Sequence, residues 1–149
     1  MKNGYPRLGL RIRCEQGVHS EVRRACLEFA KWLRKEFEFP IRVVIYLKKD
    51  YQIKSQTDKE LISGTFFGPY DKNEEPYIRI ATGDYLELLG ESGQDNALWA
   101  ILGTFAHELG HYYQWIDDEL DDDDEDVEEG AENNREYMLD LYAETIDHP

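Results

Sequence analysis

The spacing of apolar residues changes along this chain. From Arg7 to Glu15 (RLGLRIRCE), Leu8, Leu10, Ile12 and Cys14 alternate with other residues, a period of two that predicts a strand. Val22, Ala25, Cys26, Phe29, Ala30, Leu33 and Phe37 then recur at helical spacing, so a helix is expected from an N-cap at Ser20 to about Phe37, ended by Pro40. Ile41 to Lys48 (IRVVIYLK) is β-branched, as in a central strand. Residues 49–63 are polar and read as loop. Gly64 to Phe67 and Tyr77 to Thr82 (YIRIAT) read as two more strands, joined by the charged turn PYDKNEEP. Residues 84–93 carry no assignment. Two helices follow, about Asp95 to Ile116 and Ala131 to Ile146, with an acidic loop over 117–130 between them. This order predicts an α+β fold, one domain over 1–149, with a small mixed sheet packed on helices.

Composition narrows the setting. A chain of 149 residues with 41% apolar content is long enough for one hydrophobic core. Met1 to Arg13 is poor in apolar residues and holds four basic ones, unlike a signal peptide, and no apolar run is long enough for a bilayer. The expectation is a cytoplasmic protein with no membrane partner. Cys14 and Cys26 form no C-x-x-C pair and read as free thiols. The net charge is -15, but Asp117 to Glu129 (DDELDDDDEDVEE) carries 11 acidic residues, without which the balance is about -4. Nucleic acid is disfavoured as a partner because phosphates need basic patches. The tract itself reads as a solvated loop, or as a feature favouring a basic substrate or partner.

The stretch FAHELGHYYQW, residues 105–115, holds two of the four histidines. Residues four apart on a helix lie nearly above one another, so His107 and His111 can point both imidazoles at one ion. Glu108 lies about 100° round the helix. There it can reach water on that ion without being a ligand, which is the mechanical content of H-E-x-x-H. Ile101, Phe105, Leu109, Tyr112 and Ile116 form an apolar stripe on roughly the opposite side. Ala100 and Gly103 leave room above the histidine face. Gly110 costs about 1 kcal/mol inside a helix, which implies close approach by another backbone.

A catalytic zinc takes three protein ligands and keeps one position open. In the last helix (AENNREYMLDLYAETI) Glu136 and Asp140 share a face, while Met138, Leu141, Tyr142 and Ile146 make an adjacent apolar band. Glu136 is the expected third ligand. Asp140, one turn on, would accept the free N–H of a ligating histidine and fix its tautomer. Asp117 is a weaker candidate, because the turn glycine of the corresponding H-E-x-x-H-x-x-G-x-x-H pattern is Gln114 here. Glu132 is also a possible ligand, though Glu136 and not an aspartate lies four residues on, and His19 and His148 have no informative spacing.

His107-Glu108-Leu109-Gly110-His111, followed by Glu136 to Ala143 (EYMLDLYA), resembles the gluzincin pattern H-E-x-x-H … E-x-x-x-D. The form is similar to that of minigluzincins and ImmA/IrrE-like peptidases, whose second helix reads E-x-x-A-D-x-F-A; here Leu139 and Tyr142 replace the alanine and phenylalanine. The resemblance covers about residues 77–146. It implies zinc peptidase activity on a peptide or protein substrate. It also implies that Tyr77, Ile78, Arg79, Ile80, Ala81 and Thr82 form the edge strand along which an extended substrate lies.

The expected chemistry is peptide hydrolysis by water activated on one Zn2+, with Glu108 as general base and proton carrier to the leaving amine. The oxyanion needs a further donor. Tyr112, Tyr142, Arg79 and His148 are the candidates, and spacing does not choose among them. The alternative is a non-catalytic zinc-binding interaction module on the same scaffold. An intact Glu108 speaks against it, because a purely structural site needs no general base.

Overall fold

The computed structural model describes residues 9–55, 59–120 and 124–149. It is α+β: a four-stranded mixed sheet packed on three helices, with a two-stranded hairpin alongside. β1 (Leu10–Cys14), β2 (Val43–Lys48) and β6 (Tyr77–Ala81) run parallel, and β5 (Gly64–Phe67) is antiparallel to β6. The spatial order is β1-β2-β6-β5. Residues 7 and 8 of the first expected strand lie outside the described residues. Within the polar stretch read as loop, β3 (Ile53–Lys54) and β4 (Leu61–Ile62) pair with each other. Two-residue strands leave no period to read.

α1 (Ser20–Glu36) takes its expected cap as its first helical residue: the His19 Nδ1 accepts from the Glu21 N–H at 3.0 Å, so His19 takes the capping role. Its predicted apolar face, Val22 to Leu33, is buried against the sheet and the second helix. Both cysteines are free.

α2 (Tyr85–Ile116) includes the stretch left without assignment. It is broken at Gly93, whose φ of 86° and ψ of 168° are not helical, so the histidine-bearing part begins after that glycine. α3 (Asp124–Ala143) begins well before the expected Ala131. The described end of the acidic tract, 124–130, is therefore helix and not loop; 121–123 lie outside the described residues. Carboxylates in a first helical turn favour the positive end of the helix dipole, so dense acidity there supports a helix start.

α3 packs antiparallel across α2, with the closest approach at Gly110. A Cβ on Gly110 would stand 2.7 Å from the Ala131 Cα and 3.1 Å from the Asn134 Cβ. Asn134 Nδ2 also donates to the Ala106 carbonyl at 2.9 Å, and Met138 is fully buried beneath. Gly110→Ala should destabilise the fold by about 1–3 kcal/mol, because overpacking a backbone contact outweighs alanine's helix preference of about 1 kcal/mol. A urea unfolding midpoint that rises in this variant would contradict the crossing.

β6, expected at the sheet edge, lies inside the sheet with β2 on one side and β5 on the other. Tyr77, Ile78, Arg79, Ile80 and Ala81 have their backbone pairing used on both sides. Thr82 is buried just beyond, its hydroxyl on the Lys48 carbonyl. The outer position belongs to β5. Gly64 brings it against α2: a Cβ there would meet the Thr104 Cγ2 at 2.6 Å and the Glu108 Cγ at 3.3 Å. Among the described residues, no helix is long and apolar enough to cross a membrane.

Candidate metal centre

The Gly110–Ala131 crossing decides which side chains face each other. His107 and His111 flank Gly110 on α2; Glu128 and Glu132 flank Ala131 on α3. The Glu128 carboxylate bridges the histidines, with Oε1 at 3.1 Å from the His107 Nε2 and Oε2 at 3.0 Å from the His111 Nε2. The two rings stand edge to face with centroids 5.1 Å apart.

The other nitrogen of each ring is held from behind. The His107 Nδ1 lies 3.0 Å from Glu132 Oε1, and the His111 Nδ1 lies 2.9 Å from Gln114 Oε1. Gln114 is oriented by its own Nε2, which donates to the Val127 carbonyl at 2.8 Å. Each of these acceptors can take a proton from Nδ1, which would leave the Nε2 lone pair for a metal ion; without an ion, Nε2 can itself donate to Glu128. Two imidazole nitrogens and a carboxylate thus converge on one point, a donor set that suits a cation. Bonds of about 2.0–2.1 Å to a tetrahedral ion place its ligand atoms about 3.3 Å apart, and here one atom from each of the three side chains lies within 4.8 Å of the others. His107, His111 and Glu128 form a group that could hold a metal ion. Two imidazoles and one carboxylate match three-ligand sites that keep an open position.

Comparison with protein-family models, curated proteins and solved structures found no match to this chain. Function is therefore read from the chemistry of the site itself.

Glu108 stands beside this group without joining it. It is 7% exposed, and burial pushes its carboxyl up to about 7, with Glu128 adding to the rise and His107 opposing it. The group opens on two clefts. One, of about 480 Å³, is bounded by Gly64, Gly103, Thr104, Glu132 and Arg135. The other, of about 590 Å³, runs along β5 past Thr65, Phe66, Phe67, Leu120 and Val127. His107, Glu108 and Glu128 line both.

The third ligand expected from the sequence is not the one the helix crossing supplies. Glu136 is exposed and lies two turns, about 12 Å of helix, beyond Glu128. Asp140 lies further along, beside Asn96 and Trp99 of α2. The outer hydrogen-bonding position expected for Asp140 belongs to Glu132. The expected pattern of a carboxylate four residues before another is present, displaced by two turns.

None of the four oxyanion candidates reaches the group. The Tyr112 hydroxyl is tied to the Ile41 backbone, and burial pushes it up to about 12. Tyr142 packs among Phe29, Trp32 and Trp99. Arg79 alternates with Ile78 and Ile80, which face the core, and its Nη2 donates to the Lys54 carbonyl on the opposite face of the sheet. His148 is paired with Asp95 at 2.6 Å, remote from the histidine pair. Glu128, Gln114 and Arg135 are the residues that sequence reasoning did not place at the site, and Glu132, weighed there as a third ligand, stands behind His107 instead. The small residues Gly130 and Ala131 were the available signal, since they are natural partners for Gly110.

Proposed function

We propose that this protein is a zinc-dependent metallopeptidase in which His107, His111 and Glu128 hold the ion and Glu108 is the general base. The observation that carries this reading is the convergence of both histidine Nε2 atoms on Glu128 with a buried carboxyl beside them. A zinc ion bound there would polarise a substrate carbonyl and acidify water. Glu108 takes a proton from the attacking water and returns it to the leaving amine. A carboxyl near 7 in the metal-free chain has the proton affinity such a shuttle needs at neutral pH, and neighbouring metal charge would favour its ionised form. Glu132 and Gln114 would accept the Nδ1 protons of the two imidazoles, leaving each Nε2 lone pair to the metal.

The substrate bed in this reading is β5. It is an edge strand of the sheet, it borders the cleft of about 590 Å³, and Gly64 sets it against Glu108. An extended peptide would add to it through backbone hydrogen bonds, with Phe66, Leu120 and Val127 offering apolar contact. The similarity to gluzincins stands on the H-E-x-x-H motif and a glutamate from a following helix, with Glu128 in place of Glu136.

Purified protein should carry one zinc per chain and cleave members of a peptide library. Chelation should abolish cleavage, and one equivalent of zinc should restore it. One bound zinc with no cleavage of any peptide would favour the interaction-module reading, and no bound metal would remove both.

A further inference from the structure

We propose that Arg135 forms a carboxylate-binding subsite beside the metal centre, so that preferred substrates carry a carboxylate close to the bond attacked; this rests on the peptidase reading above. Three observations place it there. Arg135 is the one Lys or Arg side chain among the described residues bounding the cleft of about 480 Å³, where His107, Glu108 and Glu128 also lie. The guanidinium lies over Gly103: a Cβ on that glycine would stand 2.6 Å from the Arg135 Nε and 3.1 Å from Nη2. Among the described residues its contact to protein charge is a single long one, Nη1 to Glu132 Oε2 at 3.5 Å, so no bidentate pair among them consumes the planar fork.

Position decides between two roles. Gly103 is one turn before His107, so the guanidinium sits about 6 Å along α2 from that ligand. This is too far to donate to an oxyanion at the metal, which requires a donor within about 3 Å. It suits a group one residue away along an extended peptide, where each residue advances about 3.3 Å. A guanidinium fork matches a carboxylate in shape and charge. The rest of the cleft holds Glu108, Glu128 and Glu132, which repel an acidic group; Arg135 therefore also fixes where such a group can sit. The cleft is thus polarised, with a cation at the Gly103 end and apolar contacts with acidic helix at the Leu120 and Val127 end. The carboxylate could come from an Asp or Glu side chain or from a peptide C-terminus.

The test uses the full chain loaded with zinc and N-acetylated octapeptides. Matched sets carry Glu or Gln at each position around a randomised centre, with free or amidated C-termini. Cleavage is read by mass spectrometry, and binding by affinity of the same peptides for the Glu108→Gln protein. Wild type should favour a carboxylate over its amide about 10-fold, a typical scale for a charged hydrogen bond. Arg135→Gln should abolish that preference while zinc content is unchanged. Gly103→Ala, which pushes the guanidinium aside without removing its charge, should weaken the preference as well. Preference for Glu over Gln would identify an internal acidic residue, and preference for free over amidated ends would identify a C-terminus. Cleavage without carboxylate preference would overturn the subsite and leave the peptidase standing. An equal loss for all peptides in Arg135→Gln would overturn it in favour of a role at the reacting carbonyl. Arg135-dependent binding of carboxylate peptides without cleavage by wild type would support the subsite and remove the peptidase. Neither binding nor cleavage would overturn both.

Discussion

Glu128→Ala should strip the chain of its metal, whereas Glu136→Ala should leave the zinc content at the wild-type value. The contrast follows from the distances. Glu128 lies 3.1 Å and 3.0 Å from the two Nε2 atoms, while Glu136 is two turns away and exposed. Losing Glu128 leaves two imidazoles, which bind zinc far more weakly than a three-ligand set with a carboxylate. Glu132→Ala removes only the acceptor behind His107 and should weaken affinity by about 10–100-fold. Asp140→Ala should change nothing. Competition with a chromophoric chelator ranks all four variants on one scale. If Glu136→Ala lost the metal and Glu128→Ala kept it, α3 would have to slide by two turns, and the Gly110–Ala131 crossing would be wrong with it.

That slide is also where reading the sequence fell short. The H-E-x-x-H helix was legible because its periodicity is local: His107, Glu108 and His111 are placed by the geometry of one helix, and the buried stripe from Ile101 to Tyr112 gives its orientation. The two helices bearing the site, the helix after the first strand and most of the sheet were legible for the same reason. The third ligand is a question of register between two helices, which no single-helix period contains. Treating the acidic tract as loop placed the last helix seven residues late and left Glu128 outside it. The close approach implied by Gly110 was correct, but it becomes a register only when matched to a small partner. Ala131 is that partner. Once it is matched, Glu128 and Glu132 fall opposite the histidines.

The sheet edge failed for a related reason. YIRIAT carries the stronger strand pattern and GTFF the weaker one, yet the edge position that the resemblance implies for YIRIAT belongs to GTFF. Strength of pattern tracks burial, and an interior strand is buried more fully than an outer one. Ile78 and Ile80 are fully buried in β6, whereas β5 is partly exposed along its length. The weaker strand is the one at an edge of the sheet. Gly64, which weakens β5 as a strand, is what lets it approach Glu108.

Glu108→Gln should keep one zinc and the native fold while lowering peptide cleavage by at least about 100-fold, the scale of lost general acid–base help. Glutamine preserves the volume of a side chain that is 7% exposed, so the packing against Gly64 survives. It also removes an ionisable group that burial drives up to about 7. In the metal-free chain, a carboxyl with a raised folded value is more easily ionised when unfolded. Its ionisation therefore costs stability as pH rises through the range from 4.5 to about 7, and Glu108→Gln should remove that loss. Metal-free wild type should thus be relatively more stable at pH 5 than at pH 8, and the variant should show a smaller difference. Chemical denaturation at both pH values measures this without any substrate, and cleavage of a library peptide measures the catalytic part. A variant that cleaves as fast as wild type would remove Glu108 from the reaction. A variant that loses its zinc would make Glu108 a ligand, contrary to its place about 100° round the helix from His107.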